Sequence, residues 1–462
     1  MAKTAAGDKH GKDSREVRKA REFGVGLPAR RAAAGLLHAV LADGQPLDDA
    51  LVNSTASRIM ISMAARDRAL ARAIASTSLR RKGQIDDVLK HFLERPLPKK
   101  SGMLREILLS GACQILFLDT PNHATIDLAV TLTKQTRQTR HFDKLVNAVL
   151  RRVAEKGPDI IAKQDAAQLN TPPWLWERWS NIYGTQTAER IAAAHMGEAA
   201  LDLSVKSEAE EWARKFNGLV TPTGSVRLKA GGRVDDMEGF SDGDWWVQDA
   251  AAALPAQLLG MLNGKDVADL CAAPGGKTAQ LVMAGAHVTA VDSSSARLER
   301  LRENLARLKL DAGVVAADAG NWMPGKQFDA VLLDAPCTGT GTLRRHPDIA
   351  LLKKPKDLEE LTGIQARLLA HAATLVRPGG TLLYCTCSLE PEEGENQIAR
   401  LLEDNPHIKP DRIKPEEIGG NDTWLNGMGQ LRTLPFLLEF EDRALSGIDG
   451  FFAARLQVGE KA

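Results

Sequence analysis

A chain of 462 residues is longer than one ordinary domain and asks for two or three, each able to bury its own core. A formal net charge of +1 neither demands nor excludes nucleic acid, so what matters is where Arg and Lys gather: near the N-terminus, around Arg80-Arg81-Lys82, and from Arg137 to Arg152. The five cysteines, Cys113, Cys271, Cys337, Cys385 and Cys387, are odd in number and lack the paired spacing of a metal site, which argues against a disulfide scaffold and a metal centre. No signal-peptide pattern and no long apolar run are present, so the expectation is a cytoplasmic protein with no membrane partner.

Taken in order, residues 1–26 mix Lys, Arg, Asp, Glu and Gly with little apolar periodicity and read as a flexible basic tail. From Pro28 to Lys156 the pattern is helical: Ala32, Leu36, Leu37, Val40 and Leu41 repeat at helical spacing, as do Ile107, Leu108, Cys113, Ile115 and Leu116, with Gly111 inside the run. This predicts an all-α domain over 27–156. One helix is predicted from His123, and the next runs from Phe142 to Arg152, ending on Arg151-Arg152; RNA contact or domain docking is the expectation for these two, with capping of the helix dipole, which favours cations there, as the alternative. Over 157–243 a linker subdomain of mixed α/β type is expected, with a helix opened by Pro172-Pro173 that carries Trp176, Trp179, Ile182 and Tyr183 as a packing face. Its short strands are Leu201–Val205 and Ser225–Leu228.

From Trp245 onward, over 244–462, strand and helix alternate as in a doubly wound sheet. The stretch Cys271-Ala272-Ala273-Pro274-Gly275-Gly276-Lys277 joins a buried strand around Val267-Ala268 to a helix through Met283. Its glycines let a ligand approach the backbone, and the helix opening favours an anionic group. A Walker A loop would need glycine at Cys271, and the dinucleotide fingerprint would need a third glycine, so neither matches. The following strands end in Asp292, Asp318 and Asp334, at the edge where such sheets bind ligands; any one of these carboxylates alone would pass for a cap or turn residue. A later strand, Thr381–Cys385, leads into Thr386-Cys387-Ser388 and delivers cysteine to the same edge, beside Asp334-Ala335-Pro336-Cys337. Carbon-5 of a pyrimidine is too weak a nucleophile to accept a methyl group unaided, and thiolate addition at carbon-6 cures this. Alternation along the strand leaves both Cys385 and Cys387 as candidates on geometry.

Together with Val247-Gln248-Asp249 and Pro391-Glu392-Glu393-Gly394-Glu395-Asn396, these motifs resemble the NOL1/NOP2/Sun family of RNA cytosine-5 methyltransferases. The Asn147-Ala148-Val149-Leu150-Arg151-Arg152 run is similar to NusB-like RNA-binding domains, a pairing that suggests the bacterial RsmB (Sun) type. The resemblance implies a multidomain chain: an all-α NusB-like domain, a small α/β linker subdomain and a Rossmann-like class I methyltransferase domain. It implies S-adenosylmethionine as cofactor, lined by Cys271 to Lys277, with Asp292 on the ribose and Asp318 near the adenine. It makes Cys387 the nucleophile, Cys337 the cysteine that helps resolve the adduct, and Asp334 the residue holding the cytosine edge. Arg344-Arg345-His346-Pro347-Asp348 is expected to face substrate phosphates. The implied partner is ribosomal RNA or a small-subunit assembly intermediate, met by a monomer. The competing expectations are a non-catalytic NusB-like assembly or antitermination factor, against which the full set of Cys387, Cys337 and Asp334 speaks, and a P-loop ATPase.

Overall fold

The protein is described from a computed structural model that covers residues 26–98 and 100–460. The basic tail expected over 1–26 lies, Gly26 apart, outside the described residues. The described chain forms two compact units: residues 26–185 with the short segment 346–352, and residues 186–345 with 353–460.

The first unit is all helical. Helix Leu27–Leu41 is its centre, packed against helices Thr55–Ile61, Ala65–Arg80 and Leu104–Phe117. It is apolar around much of its circumference, and alanines at 29, 32, 33, 34 and 39 are buried together with Leu36, Leu37 and Val40. Small side chains let neighbours approach it from several sides, as expected of an internal helix. Gly111 has a similar cause: a Cβ there would lie 2.8 Å from the Leu150 side chain of helix Asp143–Ile161. That helix buries Val146, Val149, Leu150 and Val153 and runs on to Ile161, crossing the boundary expected at 156/157. Arg151 and Arg152 therefore sit mid-helix, exposed, and not at a helix C-terminus; the dipole-capping account of them fails because the apolar stripe continues past them. Segment 346–352 belongs to this unit: the Leu47 N–H donates to Asp348 Oδ2 at 3.0 Å, and Leu351 and Leu352 pack on the helical core.

The second unit holds two sheets. The smaller is antiparallel, ordered β2-β3-β1-β4, from β1 Leu201–Val205, β2 Leu219–Val220, β3 Val226–Leu228 and β4 Trp245–Val247. Leu203, Val226 and Trp245 form its core. Because β4 pairs with β1, residues 245–247 complete this sheet and not the larger one.

The larger sheet is β10-β12-β9-β8-β5-β6-β7, with β11 added on β12. Its strands are β5 Asp266–Leu270, β6 His287–Asp292, β7 Gly313–Ala316, β8 Phe328–Asp334, β9 Val376–Thr386, β10 Ile408–Asp411, β11 Leu431–Thr433 and β12 Phe451–Val458. Strands β5 to β9 are parallel, which explains their near-continuous apolar sequences, since helices cover both faces. β12 runs antiparallel beside β9 and buries Phe451 and Phe452 in the core. The chain winds outward from β5 through β6 to β7, then crosses back to β8 on the other side of β5. The strand order thus reverses between β5 and β8, and a ligand crevice is expected outside the carboxyl ends of these two strands. Among the described residues no helix is long and apolar enough to cross a membrane.

Candidate active site

The crevice at the reversal is built from one turn and two loops. The turn leaves β5 with Cys271 in the left-handed region (φ 61°), passes the cis Ala273–Pro274 peptide and reaches Gly275 at φ 103°, a conformation that glycine takes without a Cβ penalty. Helix Gly276–Met283 starts at once, so its first N–H groups have no acceptor within the helix. Asp292 at the end of β6 braces the turn from the side: Oδ2 accepts from the Ala273 N–H at 3.3 Å, Oδ1 accepts from the Ser294 N–H at 3.0 Å, and Arg297 lies 3.2 Å away. Asp318, beyond β7, is more open and pairs with Arg367 at 3.0 Å; hydrogen bonding from the Gly320 N–H, with Arg367, holds its carboxyl below the usual range.

At the foot of the turn Asp269 is fully buried. Thr278 Oγ1 donates to its Oδ2 at 2.6 Å, and Oδ1 has no hydrogen-bond partner. Burial pushes this carboxyl up to about 7, with the charges of Asp334 and Asp292 acting in the same direction. An acceptor with unused capacity, a helix opening and a glycine cradle together fit a nucleoside-type ligand carrying both positive and negative groups, as S-adenosylmethionine does.

The two loops follow β8 and β9, which are neighbours, with Asp334 opposite Cys385 in register. Lys277, from the first turn of the glycine helix, reaches across the reversal to Asp334 Oδ2 at 2.8 Å. Burial acts against its ammonium charge, but Asp334 outweighs it and holds Lys277 protonated. A cation is thus buried within electrostatic reach of Cys387. Cys387, just past the end of β9, and Cys337 are both half-buried, with their sulfurs 3.4 Å apart. The hydrogen bond with Cys387, aided by burial, keeps the Cys337 thiol well above its ordinary range, so Cys337 holds its proton at neutral pH. Cys385 differs: it is completely buried and donates to Asp334 Oδ1 at 3.5 Å. Cys271 is likewise pushed up, to about 12, by burial and then by Asp334.

Residues 256–457 match the family "16S rRNA methyltransferase RsmB/F", and residues 27–155 match the NusB family. The ribosomal RNA small subunit methyltransferase B of Xanthomonas campestris pv. campestris is 38% identical over 396 residues, covering 82% of this chain and 88% of the relative. The protein of the same name from Cronobacter sakazakii is 33% identical over 449 residues, covering 92% and 98%. The chain belongs to the ribosomal RNA small subunit methyltransferase B family. The solved structure of PH0851 superposes with a TM-score of 0.75 at 25% identity, covering 93% of this chain and 98% of that one. That of NSun6 from Pyrococcus horikoshii with SFG shares the fold over 63% of this chain and 99% of its own, with a TM-score of 0.54 and 18% identity. Like its family, the chain is a methyltransferase with a Rossmann-like catalytic fold and a NusB domain.

Two features of this RsmB-type site depart from the sequence reading. Arg344 and Arg345, expected to face phosphates, are turned inward. Arg344 is buried and donates to the Ser446 carbonyl at 2.7 Å, while Arg345 bridges Asp249 at 2.5 Å and Asp449 at 3.1 Å. Buried carboxylates from distant parts of the chain claim the Arg345 guanidinium and a distant backbone carbonyl accepts from that of Arg344, and no local pattern announces either. The second feature, the buried Glu393 beneath the Cys337 loop, was visible only as a letter in the Pro391–Asn396 run; a carboxylate next to a cysteine-bearing strand end was the available signal.

Proposed function

We propose that this protein uses S-adenosylmethionine to methylate carbon-5 of a cytosine in small-subunit ribosomal RNA through a covalent adduct on Cys387. The observation that carries the reading is the thiol pair: two cysteine sulfurs 3.4 Å apart at the ends of adjacent strands, beside an ion-paired Lys277 and Asp334. The Cys387 sulfur adds to carbon-6, and Asp334 holds the cytosine edge near its ring nitrogen while charge develops there. Lys277 lies within electrostatic reach of the attacking sulfur and keeps Asp334 oriented. Cys271 to Lys277 would hold S-adenosylmethionine, with Asp292 on the ribose and Asp318 near the adenine, and the cofactor would supply the methyl group for carbon-5 and leave as S-adenosylhomocysteine. Water then takes the carbon-5 proton, the pair of that bond restores the carbon-5 to carbon-6 double bond, the carbon-6 to sulfur bond breaks with its electron pair returning to Cys387, and Cys337 assists this release. The target cytosine must be unpaired or flipped, because stacking in a helix hides carbon-6 from the thiolate. The helical part, 27–156, and the strands within 157–243 are read as the parts that engage the RNA, with Arg151 and Arg152 on the exposed helical face.

The test is to incubate the full chain with small-subunit ribosomal RNA from cells lacking it and methyl-labelled S-adenosylmethionine, then to identify the labelled nucleoside. Label in 5-methylcytidine is expected; label in any other nucleoside would sink the reading. Cys337→Ala should leave an RNA–protein adduct that survives denaturation, and Cys387→Ala should leave none. The opposite pattern would exchange the two cysteine roles.

A further inference from the structure

Two sulfurs on separate loops stay 3.4 Å apart only if both loops are fixed, and the loop of Cys337 is fixed at the two peptides that flank it. On one side the Pro336 carbonyl accepts from Gln365 Nε2 at 2.8 Å. On the other, the Thr338 N–H donates to both oxygens of Glu393, at 2.9 and 3.2 Å, and the Thr338 hydroxyl donates to the same carboxylate. Gln365 Nε2 also donates to Glu393 Oε1 at 3.0 Å, so one amide and one carboxylate form a bracket around Cys337. Gln365 comes from helix Pro355–Leu375 and Glu393 from the turn Pro391–Glu393; neither side chain is exposed. The bracket is itself anchored, because the Tyr384 and Thr386 hydroxyls of β9 both donate to the Glu393 carbonyl, at 2.7 and 3.3 Å.

Burying a carboxylate is costly unless its oxygens find donors, and here the donors are Thr338 on the cysteine loop, Gln365, which holds that loop's other flank, and the Ser388 hydroxyl. An apolar side chain would fill this space at lower cost if packing were all that was required. We propose that Glu393 and Gln365 are positioning residues for Cys337, so that they govern release of the methylated RNA and leave the attack by Cys387 largely intact. The proposal rests on the cysteine assignment above. Cys387 follows the β9–β12 ladder, where Thr386 pairs with Phe452, and its own carbonyl accepts from the Gly341 N–H at 3.0 Å; the bracket grips both peptides flanking Cys337 but reaches the Cys387 side only through Ser388, so removing it disturbs Cys337 first.

A loop displaced by about 1 Å costs roughly 10- to 100-fold in rate. Glu393→Ala and Gln365→Ala should therefore slow turnover on small-subunit ribosomal RNA by that factor, while the denaturation-resistant adduct rises several-fold above that of the unaltered protein. Adding Cys387→Ala should abolish the adduct. Glu393→Gln should restore most of the turnover, since its Oε1 can accept from Gln365 and from the Thr338 N–H while its Nε2 donates to the Thr338 hydroxyl. A merely structural role predicts that adduct and turnover fall together, and that result, or unchanged turnover, overturns the proposal. If Glu393→Ala does not fold, Gln365→Leu, which removes the amide at the helix surface facing the loop, carries the same expectation. Trapping by Cys337→Ala but not by the bracket variants would defeat the positioning role alone; no trapping by Cys337→Ala would remove the cysteine assignment and this proposal with it.

Discussion

The ends of β5 and β6 and the ends of β8 and β9 sit side by side at the same sheet edge but are held in different ways. After β5 the chain is shaped by backbone: left-handed Cys271 and Gly275, a helix opening, and Asp292 accepting from two main-chain N–H groups. After β8 and β9 it is shaped by side chains that touch one another: Cys337 with Cys387, Lys277 with Asp334, and Glu393 with Thr338. A backbone cradle suits a ligand that must enter and leave each cycle, since its donors need no partner to stay in place. Paired side chains suit bond making, where each group must be preset relative to the next.

The first way to break this comparison is to remove the sulfur proposed to attack. Cys387→Ala should lower methyl transfer by at least the order of 1000-fold, as loss of a nucleophile does, while binding of S-adenosylmethionine by calorimetry stays unchanged. Loss of cofactor binding in that variant would show that the two regions are not separable.

The backbone side can be tested through Asp269. Its folded carboxyl titrates near about 7, raised by burial, whereas in the unfolded chain it titrates in the ordinary acid range. Between these values the folded state binds more protons than the unfolded one, so stability falls as pH rises and levels off once the folded group has ionised. The span amounts to at most about 4 kcal/mol. Asp269→Asn keeps the acceptor for Thr278, so the variant should lose this slope and melt higher than the unaltered protein above about pH 7. Thermal melts of both proteins across that range check it, and parallel curves would mean that Asp269 is not the group involved.

Lys277 joins the two regions, and removing its charge sharpens the contrast between attack and release. Lys277→Met should slow methyl transfer by about 100-fold, the usual cost of one preorganised electrostatic partner. The trapped adduct should decrease as well, opposite to the effect expected of Cys337→Ala, because the thiolate itself loses its cation. An adduct that increases in Lys277→Met would exclude this account.

What could be read from the sequence follows the same division. The glycine turn and the three strand-end aspartates were legible because they are local: a left-handed bend needs particular residues, and strands β6 and β8 end on the aspartate itself. The ion cluster of Arg345 with Asp249 and Asp449 was not legible, since the carboxylates lie 96 and 104 residues away along the chain. Segment 346–352 was read with the catalytic part but belongs to the helical unit, and its apolar residues Leu351 and Leu352 gave no hint of which core they would join. The helix through Arg151 was expected to end at Arg152, yet its apolar stripe continues through Val153 and packing carries it to Ile161.

Cys385 and Cys387, which strand alternation alone did not separate, now differ in a way that predicts the smallest effect. Cys385 lies within β9, fully buried, its thiol pushed well above the ordinary range by burial and by Asp334, so it stays protonated. Cys387 lies one residue past the strand, half-buried, against Cys337. Cys385→Ala removes one sulfur from a packed core and should cost about 1 kcal/mol of stability, with turnover within about twofold of the unaltered protein. The Asp334–Lys277 pair survives that change, so even the electrostatics of attack should be kept. If instead Cys385→Ala abolished the adduct while Cys387→Ala preserved it, the nucleophile would lie inside the strand, and the division between a buried spectator and a loop-borne reactive thiol would have to be reversed.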